Sequence, residues 1–326
     1  MPATIEQPPR AALQRAGRAL AWAGILAGAA AAATAASPAT VKLATWNLEW
    51  FLTPVTFHAL KAGCTRDEGA HRRNPRSIPC DVAAKLERSA TDIGAVASYA
   101  RRLDADVVAL EEVDGQDAAQ QVFAGYAFCF SGSRAVQNTG FAIRRGVPYR
   151  CGADVLGLSL GDELRRGATV TLYPGTHREL LLLAVHLKSG CSHQPLASRA
   201  HACERLARQL PALQEWVRAQ QSGGRRFAVL GDFNRDLLNE AGDGIWARLG
   251  GDTPAPELFN TAAGEPFRNC YAGQTHSGYI DYILLGTTLA PSLVHGSFER
   301  LTYSAADAWH TKLSDHCPVA IRLRLD

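Results

Sequence analysis

Short apolar runs recur along the 326-residue chain from residue 41 onward, and run after run ends in an acid, an amide or an imidazole. VKLATWN (41–47) closes on Asn47, with Glu49 two residues later, and DVVALEEV (106–113) carries Glu111 and Glu112. RELLLLAVHLK (178–188) holds His186 and Lys188, and RRFAVLGDFN (225–234) ends in Asp232 and Asn234, with Gly231 allowing a tight turn. GYIDYILL (278–285) has Asp281 inside it, and Asp315-His316 opens HCPVAIRLRL (316–325). Runs of this length, bounded by Gly, Asp and Asn, are strand patterns. Taken singly, a carboxylate after a strand is ordinarily a turn or cap residue, and a strand histidine a structural one. Half-buried charge is costly unless it is paired or bound to metal, so recurrence of such residues at equivalent strand ends points to one shared pocket.

TGFAIRR (139–145) and GATVTLYPG (167–175) are further strand candidates. Apolar residues at helical spacing predict helices over 81–103 and 195–219. Residues 52–80 have no periodicity and carry Lys61, Arg66, His71, Arg72, Arg73 and Arg76, which predicts a long surface loop. These elements predict one domain of two packed sheets with helices outside. Hydrophobic residues at 47% and charged ones at 20% exclude collagen-like, coiled-coil and disordered chains. The net charge of +3 gives no broad positive field, although a local basic rim would suffice to bind nucleic acid.

Residues 1–36 have the pattern of an export signal. Arg10, Arg15 and Arg18 precede an apolar stretch from Ala19 to Ala33, and Ala33-Thr34-Ala35 is a small-residue cleavage pattern. The stretch is shorter than the ~20 residues a bilayer needs, so no stable membrane insertion is expected after cleavage. The mature domain is expected to be 37–326 and to be secreted or periplasmic. All eight cysteines follow the signal, and their spacing is not that of a zinc site, so disulfides are expected. Pairing of sequence neighbours gives 64–80, 129–151, 191–203 and 270–317, the first three each worth ~3 kcal/mol in a chain-entropy account.

Six segments, TWNLEWF (45–51), VVALEEV (107–113), LAVHLKSG (183–190), VLGDFN (229–234), IDYILL (280–285) and SDHCPV (314–319), resemble the endonuclease/exonuclease/phosphatase superfamily in the family's order. A specified tetrapeptide such as GDFN arises by chance in only about 0.2% of chains this long. The superfamily includes secreted deoxyribonucleases, abasic-site endonucleases, sphingomyelinases and inositol polyphosphate phosphatases. The resemblance implies an α/β (α+β) fold, a four-layer αββα sandwich of two mostly antiparallel sheets packed face to face, with outer helices and the active site at one edge.

By position, the resemblance implies that Glu112 binds a divalent metal, with Asn47, Glu49 and Asp315 around the same ion. Oxygen ligands suit Mg²⁺ or Mn²⁺. His316 matches the general base and Asp281 its orienting partner. Asp232 and Asn234 match the pair that positions the attacking water, and His186 matches the second histidine, which stabilises the transition state. The implied activity is hydrolysis of phosphoester bonds, with a nuclease acting on nucleic acid as the first expectation. Two features depart from the pattern. Secreted deoxyribonucleases support the second histidine with a glutamate, whereas VQNTGFAIR (136–144) offers Gln137, Asn138 or Thr139, and Glu49 stands where many relatives have another residue. The alternatives are a sphingomyelinase-like enzyme acting on phospholipid, with Tyr303 and Trp309 as its modest apolar hairpin, another phosphatase acting on a small phosphoester, or a binding or toxin-like protein with a weak site.

Overall fold

The structure, a computed structural model, describes residues 40–66, 74–240, 244–250 and 257–326. The export signal lies outside the described residues, as do His71, Arg72 and Arg73 of the basic loop. In chain order the main elements begin with β1 (Thr40–Phe51), α1 (Pro54–Lys61), α2 (Cys80–Lys85), α3 (Ala90–Leu103), β2 (Val107–Val113) and α4 (Gly115–Gln120). Next come β3 (Tyr126–Phe130), β4 (Asn138–Arg144), β5 (Tyr149–Cys151), β6 (Ala168–Leu172), β7 (Leu180–His186), α5 (His201–Ser222) and β8 (Phe227–Asp232). The chain ends with α6 (Ile245–Arg248), β9 (Leu258–Asn260), β10 (Asp281–Gly286), β11 (Glu299–Arg300), α7 (Ala305–His310) and β12 (Val319–Arg324).

The strands form two six-stranded sheets, ordered β11-β12-β1-β2-β4-β3 and β5-β6-β7-β8-β10-β9. Each sheet has one parallel pair at its centre, β1 with β2 and β7 with β8, and its other pairings are antiparallel. Period-two alternation sorts the side chains into layers. Leu43, Ala109 and Phe141 of one sheet meet Val170, Leu182 and Leu230 of the other in the central core. Their neighbours Ala44, Val108 and Leu110 face outward onto Val96, Tyr99 and Leu103 of α3 and Ala118 of α4. On the far side, Leu183, Val185 and Val229 pack against Leu206, Leu210 and Leu213 of α5. The result is the four-layer αββα sandwich with two mostly antiparallel sheets.

Register then places the polar strand ends. Asn47 lies opposite Glu111 in the parallel pair β1/β2, and His186 lies opposite Asp232 in β7/β8. Because β10 runs antiparallel to β8, its first residue, Asp281, is paired with Asp232. The antiparallel pairing of β12 with β1 brings the segment before β12, with Asp315 and His316, back to the same edge. Asp281 therefore opens its strand instead of lying inside it, and His316 sits in a turn three residues ahead of β12.

Two local expectations are corrected. The helix expected over 81–103 is two helices, because α2 ends at Leu86 and Ser89 starts α3 with a capping box to Asp92. Between them Arg88 turns inward, its guanidinium donating to the carbonyls of Leu48, Glu49 and Leu313. The loop expected over 52–80 contains α1, started by the Thr53 side chain accepting from the Thr56 amide, with Pro54 in the first turn. Phe57 of α1 is buried, which supplies the apolar contact that the loop's composition concealed. All four neighbour disulfides form: Cys64–Cys80, Cys129–Cys151, Cys191–Cys203 and Cys270–Cys317.

Gly231 does more than allow a turn. Its φ is 144°, and a Cβ there would stand 1.9 Å from the Val185 carbonyl oxygen of the neighbouring strand. Only glycine lets β7 and β8 approach closely where His186 and Asp232 emerge. Gly231→Ala is expected to lower the free energy of unfolding by roughly 3 kcal/mol, read as a shift in the urea midpoint; an unchanged midpoint would mean that the strands can separate freely.

Candidate active site

The side chains at this edge form a continuous cluster. His316 Nδ1 lies 2.9 and 3.0 Å from the two oxygens of Asp281, and its Nε2 faces Asp232 Oδ2 at 3.9 Å and Asp315 Oδ1 at 3.8 Å. Asp232 is the hub. Its Oδ1 accepts from the Asn234 amide at 2.7 Å, and its Oδ2 accepts from the side chains of Asn47 and Asn234 at 3.1 and 3.0 Å. His186 Nε2 lies 3.5 Å from Asp232 and 3.6 Å from Glu112.

Glu49, Glu112, Asp315 and His316 line one cleft of about 210 Å³. Backbone amides fix two of these acids: Trp50 N–H donates to Glu112 at 3.0 Å, and Asp315 N–H donates to Glu49, also at 3.0 Å. Asn47 Oδ1 accepts from the Glu49 amide at 2.9 Å, tying this cleft to Asp232. Glu49, Glu112 and Asn234 all have positive φ, at 50°, 60° and 55°. Left-handed backbone at non-glycine residues is held only where surroundings over-determine it, and such residues cluster at functional sites. Every residue expected at the site thus reaches one edge of the sandwich.

Residues 44–316 match the Endonuclease/Exonuclease/phosphatase family. The chain belongs to this family. No curated protein matches it by sequence. Solved structures share the fold: TDP2 from Caenorhabditis elegans is 16% identical with a TM-score of 0.55, over 87% of this chain and 74% of that one. AP endonuclease LMAP from Leishmania major is 17% identical with a TM-score of 0.52, over 87% of this chain and 88% of that one. A family protein from Bacteroides thetaiotaomicron is 14% identical with a TM-score of 0.51, over 88% and 98%.

Within this family member, charge is unevenly compensated. Burial by itself would lower the His316 pKa, but the carboxylates of Asp281 and Asp232 outweigh it and raise it well above the ordinary 6.5. The two carboxylates therefore favour the protonated imidazole. Asp232 is pushed up to about 7 by burial, with His316 lowering it and Asp281 raising it. His186 goes the other way: burial, then the Arg165 cation, hold it well below 6.5 and neutral. Its Nδ1 is buried without a hydrogen-bond partner. None of the three candidate supports reaches it. Asn138 donates to the carbonyls of Ser131 and Ser133, Thr139 donates to the Arg166 carbonyl, and Gln137 faces a neighbouring cavity.

Glu49 is raised to about 7, by burial first and then by Asp315, with Glu112 adding to the repulsion. A carboxyl whose folded pKa exceeds its unfolded value costs stability once pH rises past about 4.5, and the cost grows up to about 7. Arg88, 3.8 Å from Glu49, offsets only part of this repulsion, and the crowded carboxylate oxygens suit a hard divalent cation.

Glu111, singled out at its strand end but given no role, and two arginines that no pattern marked also border the site. Glu111 accepts from Thr45 Oγ1 at 3.1 Å, and burial plus Asp281 and Asp232 lift its pKa well above the carboxylate range. Arg88 supports the Glu49 backbone from below. Arg165 donates to the Leu187 carbonyl, which also accepts from Asn234. Glu111 had a visible signal in the EE pair, whereas neither arginine stands in an apolar run.

Because Asp281 raises the His316 pKa, this pair's stabilisation is complete below about 6.5 and fades as pH climbs through the elevated folded value. Asp281→Asn is expected to move the imidazole titration of His316 to lower pH in metal-free protein, followed by NMR. A titration unmoved by the substitution would separate the two side chains electrostatically.

Proposed function

We propose that the protein is an exported, divalent-metal-dependent phosphodiesterase whose substrate is nucleic acid. The observation that carries this is the convergence at one edge of an imidazole–carboxylate pair, an Asp–Asn pair and a cleft that holds Glu49, Glu112 and Asp315. A phosphodiester is anionic, so its hydrolysis needs charge neutralisation and a water aligned opposite the leaving oxygen. Glu49, Glu112 and Asp315, with Asn47 behind them, would hold Mg²⁺ or Mn²⁺, which supplies Lewis-acid stabilisation of the phosphoryl oxygens.

The chain's own residues do the rest. Asp232 and Asn234 orient the attacking water. Its oxygen bonds to phosphorus, the opposite P–O ester bond breaks, and its proton passes to His316 Nε2, with Asp281 holding the resulting imidazolium, while the departing oxygen takes up a proton from solvent to leave as the alcohol. Accepting that proton requires His316 to be neutral beforehand. His186, being neutral, offers an N–H to a phosphoryl oxygen and carries no full charge to the leaving group.

Export is supported by the signal pattern and by four disulfides, which persist in oxidising compartments. No helix among the described residues is long and apolar enough to cross a membrane. The nucleic-acid substrate is supported by the similar fold of an AP endonuclease and by Lys85 in the cleft, whereas Lys61 and Arg76 of the loop are paired with Glu87 and Asp114. The phospholipid alternative loses half of its hairpin, because Tyr303 is buried, bonded to the Trp46 indole and the His316 carbonyl, while Trp309 is 84% exposed.

With Mg²⁺, purified protein is expected to degrade plasmid DNA or RNA and to leave sphingomyelin and inositol phosphates largely intact, with loss of activity on chelation. His316→Ala should slow turnover on the order of 10²–10⁴-fold without lowering the melting temperature enough to unfold the protein at assay temperature. Near-wild-type turnover in that variant would remove His316 from the mechanism, and turnover of lipid alone would replace the nuclease assignment.

A further inference from the structure

Beside the cluster, on the His186 flank, a second cavity of about 580 Å³ opens between residues 162–165, residues 188–190 and α5. Its lining is cationic on balance. Of its two acids, Asp162 is held by Arg166 at 2.7 and 2.9 Å, and Glu163 is paired with Arg205. Arg165 has no carboxylate of the lining set against it, its nearest acids being Glu112 and Asp232 of the cluster. Arg205 is 5% exposed, and its Nη2 is buried with no partner. The Nε of Arg165 is likewise buried and unpartnered.

Buried guanidinium N–H groups left unsatisfied are expensive. Arg165 and Arg205 both line this cavity, and a guanidinium fork matches phosphate oxygens, so the wall suits an anion. The cavity is also adjacent to the chemistry. Arg165 Nη2 and Asn234 Nδ2 meet at the same acceptor, the Leu187 carbonyl, at 3.1 and 3.0 Å. Pro75, Pro79 and Ala135 give the cavity an apolar side against which a sugar or base can lie.

We propose that this cavity is a second phosphate subsite: Arg165 and Arg205 bind a phosphoryl group one linkage away from the bond being cut. This rests on the phosphodiesterase assignment and narrows it, for the enzyme then prefers substrates with two neighbouring phosphates to those with one. A nucleic acid chain meets that requirement at every step. A lone diester, such as a phospholipid headgroup, does not.

The test compares full-length mature protein with Mg²⁺ on the dinucleotide TpT and on its 5′- and 3′-phosphorylated forms. At least one phosphorylated form is expected to be cut with kcat/KM about tenfold higher than TpT, the gain of one charge-assisted contact pair. Arg205→Gln should bring that ratio down to within about twofold of unity, and Arg165→Gln serves as a second variant should the first fail to fold by circular dichroism. Equal rates on all forms in the wild type, or a ratio untouched in both variants, overturns the subsite. A binding arm is independent of turnover: by calorimetry, thymidine 3′,5′-bisphosphate is expected to bind about tenfold tighter than thymidine 5′-monophosphate, an advantage that Arg205→Gln erases. If no dinucleotide or plasmid is cleaved, the phosphodiesterase assignment fails; if the bisphosphate holds no Arg205-dependent advantage, the subsite fails.

Discussion

Parallel pairing at the centre of each sheet is the constraint on which everything else depends. Strands β1 and β2, and likewise β7 and β8, finish side by side at the same edge, so Asn47 meets Glu111 and His186 meets Asp232 across the ladders. The flanking antiparallel strands β10 and β12 begin at that edge and add Asp281, Asp315 and His316. Residues as far apart as Asn47 and Asp232 come into hydrogen-bond contact through this topology alone. The close approach at Gly231 is the local condition that lets β7 and β8 deliver their ends together.

The edge so assembled is electrostatically unfinished. Anionic groups outnumber cations: Asp232 and Glu49 are each pushed up to about 7, and Glu111 is raised further within the core. Folding tolerates this because apolar layers on both faces of each sheet provide the stability that the site gives up. The same imbalance makes the site receptive to a divalent cation on the acidic side. On the other flank, burial and then Arg165 hold His186 neutral, and the Nε of Arg165 has no hydrogen-bond partner. Acidic and basic groups thus both act on Asp232 and its surroundings, a mixture suited to an anionic phosphoryl group.

Much of this was legible in the sequence because strand ends follow apolar runs, and runs are easy to see. β1, β2, β7, β8 and β12 overlap their expected segments, and all the residues expected at the site reach its edge. What stayed hidden depends on three-dimensional packing. Arg88 and Arg165 stand outside the apolar runs in a linear chain, and only the folded backbone reveals carbonyl oxygens waiting for their guanidinium groups. The short strands β5, β9 and β11 are edge or near-edge pieces of two or three residues, too brief for alternation to register. The support of His186 could not be chosen among Gln137, Asn138 and Thr139 because none of them bonds to it. The helix α1 escaped because a basic loop with several arginines masks the single buried Phe57.

The central claim is that the acids at this edge hold a catalytic cation. Diffraction from crystals soaked in Mn²⁺, recorded near the manganese absorption edge, addresses it directly. An anomalous peak among the carboxylates of Glu49, Glu112 and Asp315 is the result expected. A peak elsewhere on the molecule, or none at a Mn²⁺ concentration that supports full activity, would contradict the account.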